Sequence, residues 1–395
     1  MWFRKQLIFT NQSNKSPFQT AWNRLKRNRP AIGGLLIIFF SFVLGVLGYL
    51  ITPDSTPDAN NMTPEIALQP PGYTQKFLLI KKVQAAEKKG ILSRMINGSE
   101  LQHLWIPIRE YHFENADVKV DLFRGEGVKT KSESYPLQQV LNGLPDKSNL
   151  FSPDKIEEMQ KKIVHDHVVK KIYYLGTDTY GRDILSRLLI GVRVSLAVGF
   201  MAVAISLLLG TFLGSIAGYY GGKTDEAIIL LINIIWAVPT LLLVFAITLV
   251  LGKGFWQIFV AVGLTMWVQV ARIVRGQVMS IRNMEYIEAA QSLGFGRSRI
   301  IFKHVLPNTL GPVLVVAASN FATAILIEAG LSFLGIGVQP PTPSWGSMIR
   351  ENYGFIISSN PILAIVPGIA IMIMVLAFNL LGNGLRDALD VKMKT

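Results

Sequence analysis

The sequence predicts an all-α polytopic membrane protein: six transmembrane helices carrying a small α+β extracytoplasmic insertion. Three observations predict it. The chain of 395 residues is 50% hydrophobic and 16% charged, with a mean hydropathy of +0.37, whereas ordinary soluble domains carry about 25% charged residues. Six apolar stretches approach or exceed the roughly 20 residues that cross a hydrocarbon core. The net charge of +13 sits in short segments beside those stretches, which is how topology-setting charge is distributed. Seven Lys/Arg and no acids precede Ala31, and six Lys/Arg stand against Glu285 and Glu288 between Arg272 and Lys303. Thr52 to Ile190, with nineteen basic and eighteen acidic residues, is nearly neutral. This distribution argues against a nucleic-acid partner, which needs a concentrated basic face. The absence of cysteine excludes disulfides, thiol nucleophiles, iron–sulfur clusters and cysteine-based zinc sites.

The elements follow in order. Residues 1–30 form a basic cytoplasmic segment. Ala31–Ile51 is span-length, begins late and lacks a small-residue cleavage site, so a permanent helix is expected rather than a signal peptide. Residues 52–174 are too many for a plain connector and are read as the insertion. Within it, charged and periodic Tyr73–Lys89 predicts a helix, and alternating Leu104–Val120 predicts short strands. Ser152-Pro153 predicts the cap and first residue of a helix running to about Lys171.

Residues 175–395 carry the other five spans. Leu185, Leu188, Leu189 and Val192 recur at helical spacing beside Arg182, Asp183 and Arg187, predicting an amphipathic outer helix that leads into the second span, Val192–Ala217. There Gly199, Gly210 and Gly214 permit close helix approach. Ala227–Leu251 is the third span. Phe255–Val270 is shorter and holds Gln257 and Gln269, so neighbours must shelter it. Leu310–Ile336 and Ile362–Leu385 complete the six. Helices are expected throughout because lipid leaves each segment to satisfy its own backbone. Counting from a cytoplasmic amino terminus puts Tyr219–Glu226, Arg272–Thr309 and the tail Arg386–Thr395 inside. Residues 52–191, 252–254 and 337–361 then lie outside, with the QPPTPSW run, Gln339–Trp345, as an extended surface.

The stretch EAAQSLGFGRSRIIFKHVLPN, Glu288–Asn308, is longer than a connector requires. A helix starting near Asn283 carries Glu288, Ala289 and Ala290, and Gly294 ends it by supplying the left-handed residue after the last turn. Beyond Phe295-Gly296, a second helix with Arg297, Arg299 and Lys303 leads to Pro307, giving a hairpin over about 283–308. Two readings fit: insertion into a groove on a partner protein, or an amphipathic hairpin lying on lipid headgroups.

That stretch resembles the EAA signature of ABC importer permeases: Glu-Ala-Ala, a glycine four residues on, then Ile-x-x-x-x-Leu-Pro. LGTDTYGRDILSRLLIGVRVSL, Leu175–Leu196, is similar to the segment before the second span in the oligopeptide, dipeptide and nickel subgroup. EAGLSFLGIGVQPPTPSWGSMI, Glu328–Ile349, and WNRLKRNRPAIGG, Trp22–Gly34, resemble the C-type permease of that subgroup. The resemblance covers about Phe18–Ile51 and Leu175 to the end. The insertion departs from it, since typical members have a much shorter connection there.

The resemblance implies a type I ABC importer permease fold and one permease subunit of an ATP-driven importer for oligopeptides or dipeptides. Nickel complexes, glutathione or another small solute are the alternative cargoes. Glu288, Ala289, Ala290 and Gly294 would form the coupling helix. The implied partners are a second homologous permease, two ATPase subunits at the cytoplasmic face, an external solute-binding protein and membrane lipid. ATP and Mg would belong to the ATPase subunits, leaving this one without cofactor, metal or catalytic residues, in the cytoplasmic (inner) membrane. A membrane sensor and a passive channel are the competing classes.

Several further residues bear two readings each. Glu328 falls inside a span, where a charge is costly; it lines the translocation path or bonds to a neighbouring helix. Asn320, with Thr323, Asn233 and Trp236, lines that path or joins helices. Gly181, Arg182 and Asp183 form an outer gate or a salt-bridged helix start. Gly222-Lys223-Thr224 mimics the end of a phosphate-binding loop, but Ala217 occupies the upstream glycine position and a span precedes it instead of a strand. His165-Asp166-His167 is a poor metal site, because adjacent helical positions do not share a face.

Overall fold

The computed structural model describes residues 17–83, 90–144, 151–252, 254–357 and 360–389. Helix α1 (Pro17–Arg27) breaks at Asn28, whose side chain accepts from the Ala31 amide and caps α2 (Arg29–Ile51). The chain then enters the insertion, with β1 (Tyr73–Lys81), α3 (Ile91–Asn97), β2 (His103–Glu114), β3 (Asp117–Leu122), β4 (Lys131–Pro136), α4 (Leu137–Asn142), α5 (Pro153–Lys162) and β5 (Val168–Tyr173). The strands form one sheet in the order β4-β3-β2-β1-β5, every neighbouring pair antiparallel.

Two expectations about the insertion fail. Tyr73–Lys81 is a strand, not a helix, and residues 84–89 of the expected helix lie outside the described residues. Strand β1 has neighbours on both edges and is buried on both faces. Phe77 and Leu79 pack with Ile66, Phe123 and Tyr173, while Leu78 and Ile80 pack with Ile108, Val118, Leu137 and Ile163. A doubly buried strand reads as an apolar run without clean alternation. The helix expected to reach Lys171 stops at Lys162; Ile163–His167 widens into a single π turn, and Val168-Val169 opens β5. β-branched residues favour the strand, and β5 completes the second edge of β1. The strands expected over Leu104–Val120 are present as β2 and β3, paired antiparallel.

The bundle comprises α6 (Ile184–Tyr220), α7 (Gly222–Trp236), α8 (Thr240–Leu251), α9 (Phe255–Arg282), α10 (Glu285–Ser292), α11 (Arg297–Ile300), α12 (Leu306–Phe333), α13 (Trp345–Asn352) and α14 (Ile362–Leu389). The amphipathic outer helix and the second span are one unbroken rod of 37 residues. The third span is not continuous: α7 and α8 meet at 92°. Pro239 explains the break, since it lacks an amide donor and disfavours helical geometry at Val238.

The bent pair nevertheless crosses. Cβ atoms built on Gly210, Gly214 and Gly218 of α6 would meet Trp267 and Val270, Ala271 and Val274, and Arg275 and Val278 of α9 in turn, while Arg282 donates to the Tyr219 carbonyl at 2.7 Å. A constant offset means that α6 and α9 run parallel, so the chain must return through the bundle between them. Five long apolar helices plus this broken one make six crossings. Leu25 and Ala31 pack on Ala388, and Asn28 donates to Asp387 at 3.3 Å. The amino-terminal helix, the end of α14 and the α10–α11 hairpin therefore share one end of the bundle, and the insertion occupies the other. Glu328–Ile349 holds a second surprise: the proline-rich run is not all surface. Trp345, 2% exposed, donates to the Leu188 carbonyl at 3.1 Å and lies on Gly191.

Candidate functional site

The hairpin is built as the sequence suggests and anchored by residues the sequence did not single out. Glu285 and Glu288 occupy the first turn of α10, where the helix dipole favours acids. At its end the Gly294 amide donates to Gln291 at 2.9 Å and the Phe295 amide to Ala290 at 3.1 Å, with Gly294 at φ +77°. This is the paired bonding that a left-handed residue permits. Ile287 and Ala290 turn inward, joining Ile300, Ile301 and Val305 against Tyr219 of α6, Val274, Val278 and Ile281 of α9, and Val313 of α12. Glu288, Ala289, Leu293 and Gly294 face outward, and Leu293 is 74% exposed. Of the four expected coupling residues, Ala290 is thus a seat for the helix rather than part of its free face. Phe295 braces the turn, stacked on His304 at 6.1 Å and beneath the Arg299 guanidinium at 4.3 Å.

Gly181, Arg182 and Asp183 meet at the junction between insertion and bundle. Asp183 caps α6 through the Ser186 amide and hydroxyl, and burial pushes its carboxyl up from the ordinary value although those donors pull it down. Arg182, 2% exposed, contacts Asp178 and Glu351, each at 2.6 Å; Arg187 lies 3.8 Å and 3.5 Å from the same two carboxylates. Two buried guanidiniums between two acids tie the start of α6 to α13. Asp178, four positions before Arg182, was passed over as part of the loop before the helix, and Glu351 was missed because a pairing across 169 positions leaves no local pattern.

The two residues expected in the translocation path are both enclosed. Glu328 is fully buried and accepts from the Ser332 hydroxyl at 2.7 Å; among the described residues no cation pairs with it. Asn320 is 1% exposed, with neither amide atom hydrogen-bonded. Polar side chains at bundle depth that do reach the surface include Asn233, Trp236, Gln269, Arg272 and Thr323. Neighbours shelter most of Phe255–Val270 as expected, but Gln269 itself is exposed. The break between α7 and α8 opens beside it a crevice of about 80 Å³ lined by Trp236, Thr240, Thr265, Gln269 and Thr323. Among the described residues, no group of His, Asp or Glu is placed to hold a metal.

Comparison with known proteins agrees with this architecture. Residues 210–395 match the family of binding-protein-dependent transport system inner membrane components, and residues 16–71 match the N-terminal TM domain of oligopeptide transport permease C. The oligopeptide transport system permease protein OppC of Bacillus subtilis is 43% identical over 58% of this chain and 75% of its own. The dipeptide transport system permease protein DppC of Alkalihalophilus pseudofirmus is 46% identical over 56% and 73%. The glutathione transport system permease protein GsiD of Pectobacterium atrosepticum is 40% identical over 63% and 80%. With six crossings, a hairpin between the fourth and fifth, and these relatives, the chain belongs to the binding-protein-dependent inner membrane permeases of ABC importers, as a C-type subunit of the oligopeptide and dipeptide group.

Proposed function

We propose that this chain imports short peptides, as one half of a translocation path completed by a second homologous permease. The observation that carries the proposal is the hairpin: seated through Ile287, Ala290, Ile300 and Ile301 on α9 and α12, it leaves Glu288, Ala289, Leu293 and Gly294 free. A helix with such a face suits the groove of an ATPase subunit, and its seating converts motion of that subunit into rotation of packed helices. Two ATPases bind ATP and Mg on that side, and an external binding protein delivers cargo on the other. The basic residues before Ala31 and around the hairpin support a cytoplasmic placing of that end and of both termini, with the insertion outside the inner membrane. Relatives named for oligopeptide, dipeptide and glutathione transport support peptides as the cargo.

Gly294→Asp tests the mechanical role. A carboxylate on the free face should abolish ATP-coupled peptide uptake by the reconstituted importer, while the variant still inserts and assembles with its partner permease. Uptake at the wild-type rate would remove the hairpin from the mechanism.

A further inference from the structure

The break in the third span brings a cation to an unexpected place. Arg272 is one turn deeper along α9 than Arg275, which is bound bidentately by Asp225 at 2.5 and 2.6 Å. It lies ten residues, about 15 Å, from Arg282 at the helix end. Among the described residues, no carboxylate pairs with Arg272. Its guanidinium instead sits 3.5 Å from the ring centroid of Trp236, the last residue of α7, and donates to Asn233 Oδ1 at a long 3.5 Å. The sequence places Arg272 at the start of the cytoplasmic loop, but α9 continues unbroken to Arg282. Arg272 thus lies within the bundle, where a charge is costly and faces a cavity or a partner. Lying over the tryptophan ring holds the guanidinium and leaves its N–H groups, apart from the one that reaches Asn233, without a partner among the described residues.

The neighbouring crevice shares Trp236 as a wall, and its other polar lining is neutral: Thr240, Thr265, Gln269 and Thr323. At about 80 Å³ it admits a few waters' worth of material, the end of a peptide and not its body. A planar guanidinium beside a neutral polar recess matches a carboxylate, which it can engage with two parallel hydrogen bonds.

We propose that Arg272, held by Trp236, receives the free C-terminal carboxylate of the peptide in transit, with the Thr240–Gln269–Thr323 crevice taking up the terminal residue. This rests on the peptide reading and adds a recognition element within the permease itself.

The test compares trialanine with trialanine amide in liposomes holding the complete importer with its binding protein. The same binding protein serves every variant, so its own preference cancels when each is expressed relative to wild type. Arg272→Gln should lower the ratio of acid to amide uptake about tenfold, the scale of one lost charge-assisted contact. Arg272→Lys should fall between, because it keeps the charge without the fork. Trp236→Leu should shift the ratio the same way as Arg272→Gln. Equal slowing of both peptides by Arg272→Gln would overturn the proposal, pointing to a structural contact with the second permease. A wild-type importer that hydrolyses ATP but moves neither peptide would overturn the peptide reading and this proposal together.

Discussion

Gly181 and Gly294 share a left-handed backbone, at φ +70° and +77°, yet answer differently to the same substitution. A Cβ on Gly181 would lie 1.8 Å from the Thr63 carbonyl oxygen; one on Gly294 would meet nothing within 4 Å. Gly294→Ala should therefore cost only the intrinsic strain of the conformation, about 1–2 kcal/mol, felt in the hairpin. Gly181→Ala must also displace the Thr63 segment and should cost about 3 kcal/mol or more, lowering the unfolding temperature of the purified protein clearly further. Beside it, Glu351→Gln removes an acid from two buried guanidiniums and should destabilise by about 3 kcal/mol, read in the same thermal assay. The sequence made Gly181, Arg182 and Asp183 visible as a group through helix-start chemistry. It could not reveal Glu351, because nothing local marks which distant loop folds over a helix end. Ala290 shows the reverse: a motif alone groups it with Ala289, and only packing separates the inward residue from the outward one.

At the scale of elements, one error fell where a segment is buried on both sides. In β1 the run Phe77-Leu78-Leu79-Ile80 serves both faces of the sheet, so neither a period of two nor one of 3.6 emerges. β2 and β3, each with a more exposed face, were legible. The sheet also carries a titrating histidine. His103 lies edge to face with His167, ring centroids 5.5 Å apart, and burial together with the neighbouring charge of His167 and Lys81 holds its pKa below 6.5. The unfolded chain then binds more protons in that range, so the insertion should lose stability as pH falls through about 6.5. Following sheet unfolding between pH 7.5 and 5.5 checks the sign, and His103→Gln should flatten the dependence. The kink at Pro239 makes a different prediction. In a chain with no native cysteine, Thr240→Cys and Gln269→Cys in the assembled importer should react with a water-soluble maleimide, while Leu208→Cys on α6 should not.

For the whole molecule, the number of spans could be read from composition, because lipid imposes a length on each apolar helix. What could not be read was which helix lies against which. Glycines every fourth residue at 210, 214 and 218 announce a close approach without naming α9 as the neighbour, and only that parallel pairing requires the bent helices to cross. The topology makes a direct prediction. Added to right-side-out vesicles, an impermeant thiol reagent should label Lys131→Cys in the insertion and spare Ser292→Cys in the hairpin; labelling of Ser292→Cys would overturn the proposed sidedness.

The unbroken length of α6 has one more consequence. It is a lever about 55 Å long, fixed near the hairpin by the glycine contacts and clamped at its far tip by the arginine–carboxylate cluster beneath the sheet. Under the proposed ATPase coupling, each degree of tilt would displace that tip by about 1 Å and carry the motion to the base of the five-stranded sheet. On that same proposal, a protein docked on the sheet would be nudged at every turnover, and the added sheet would report the state of the hairpin end mechanically.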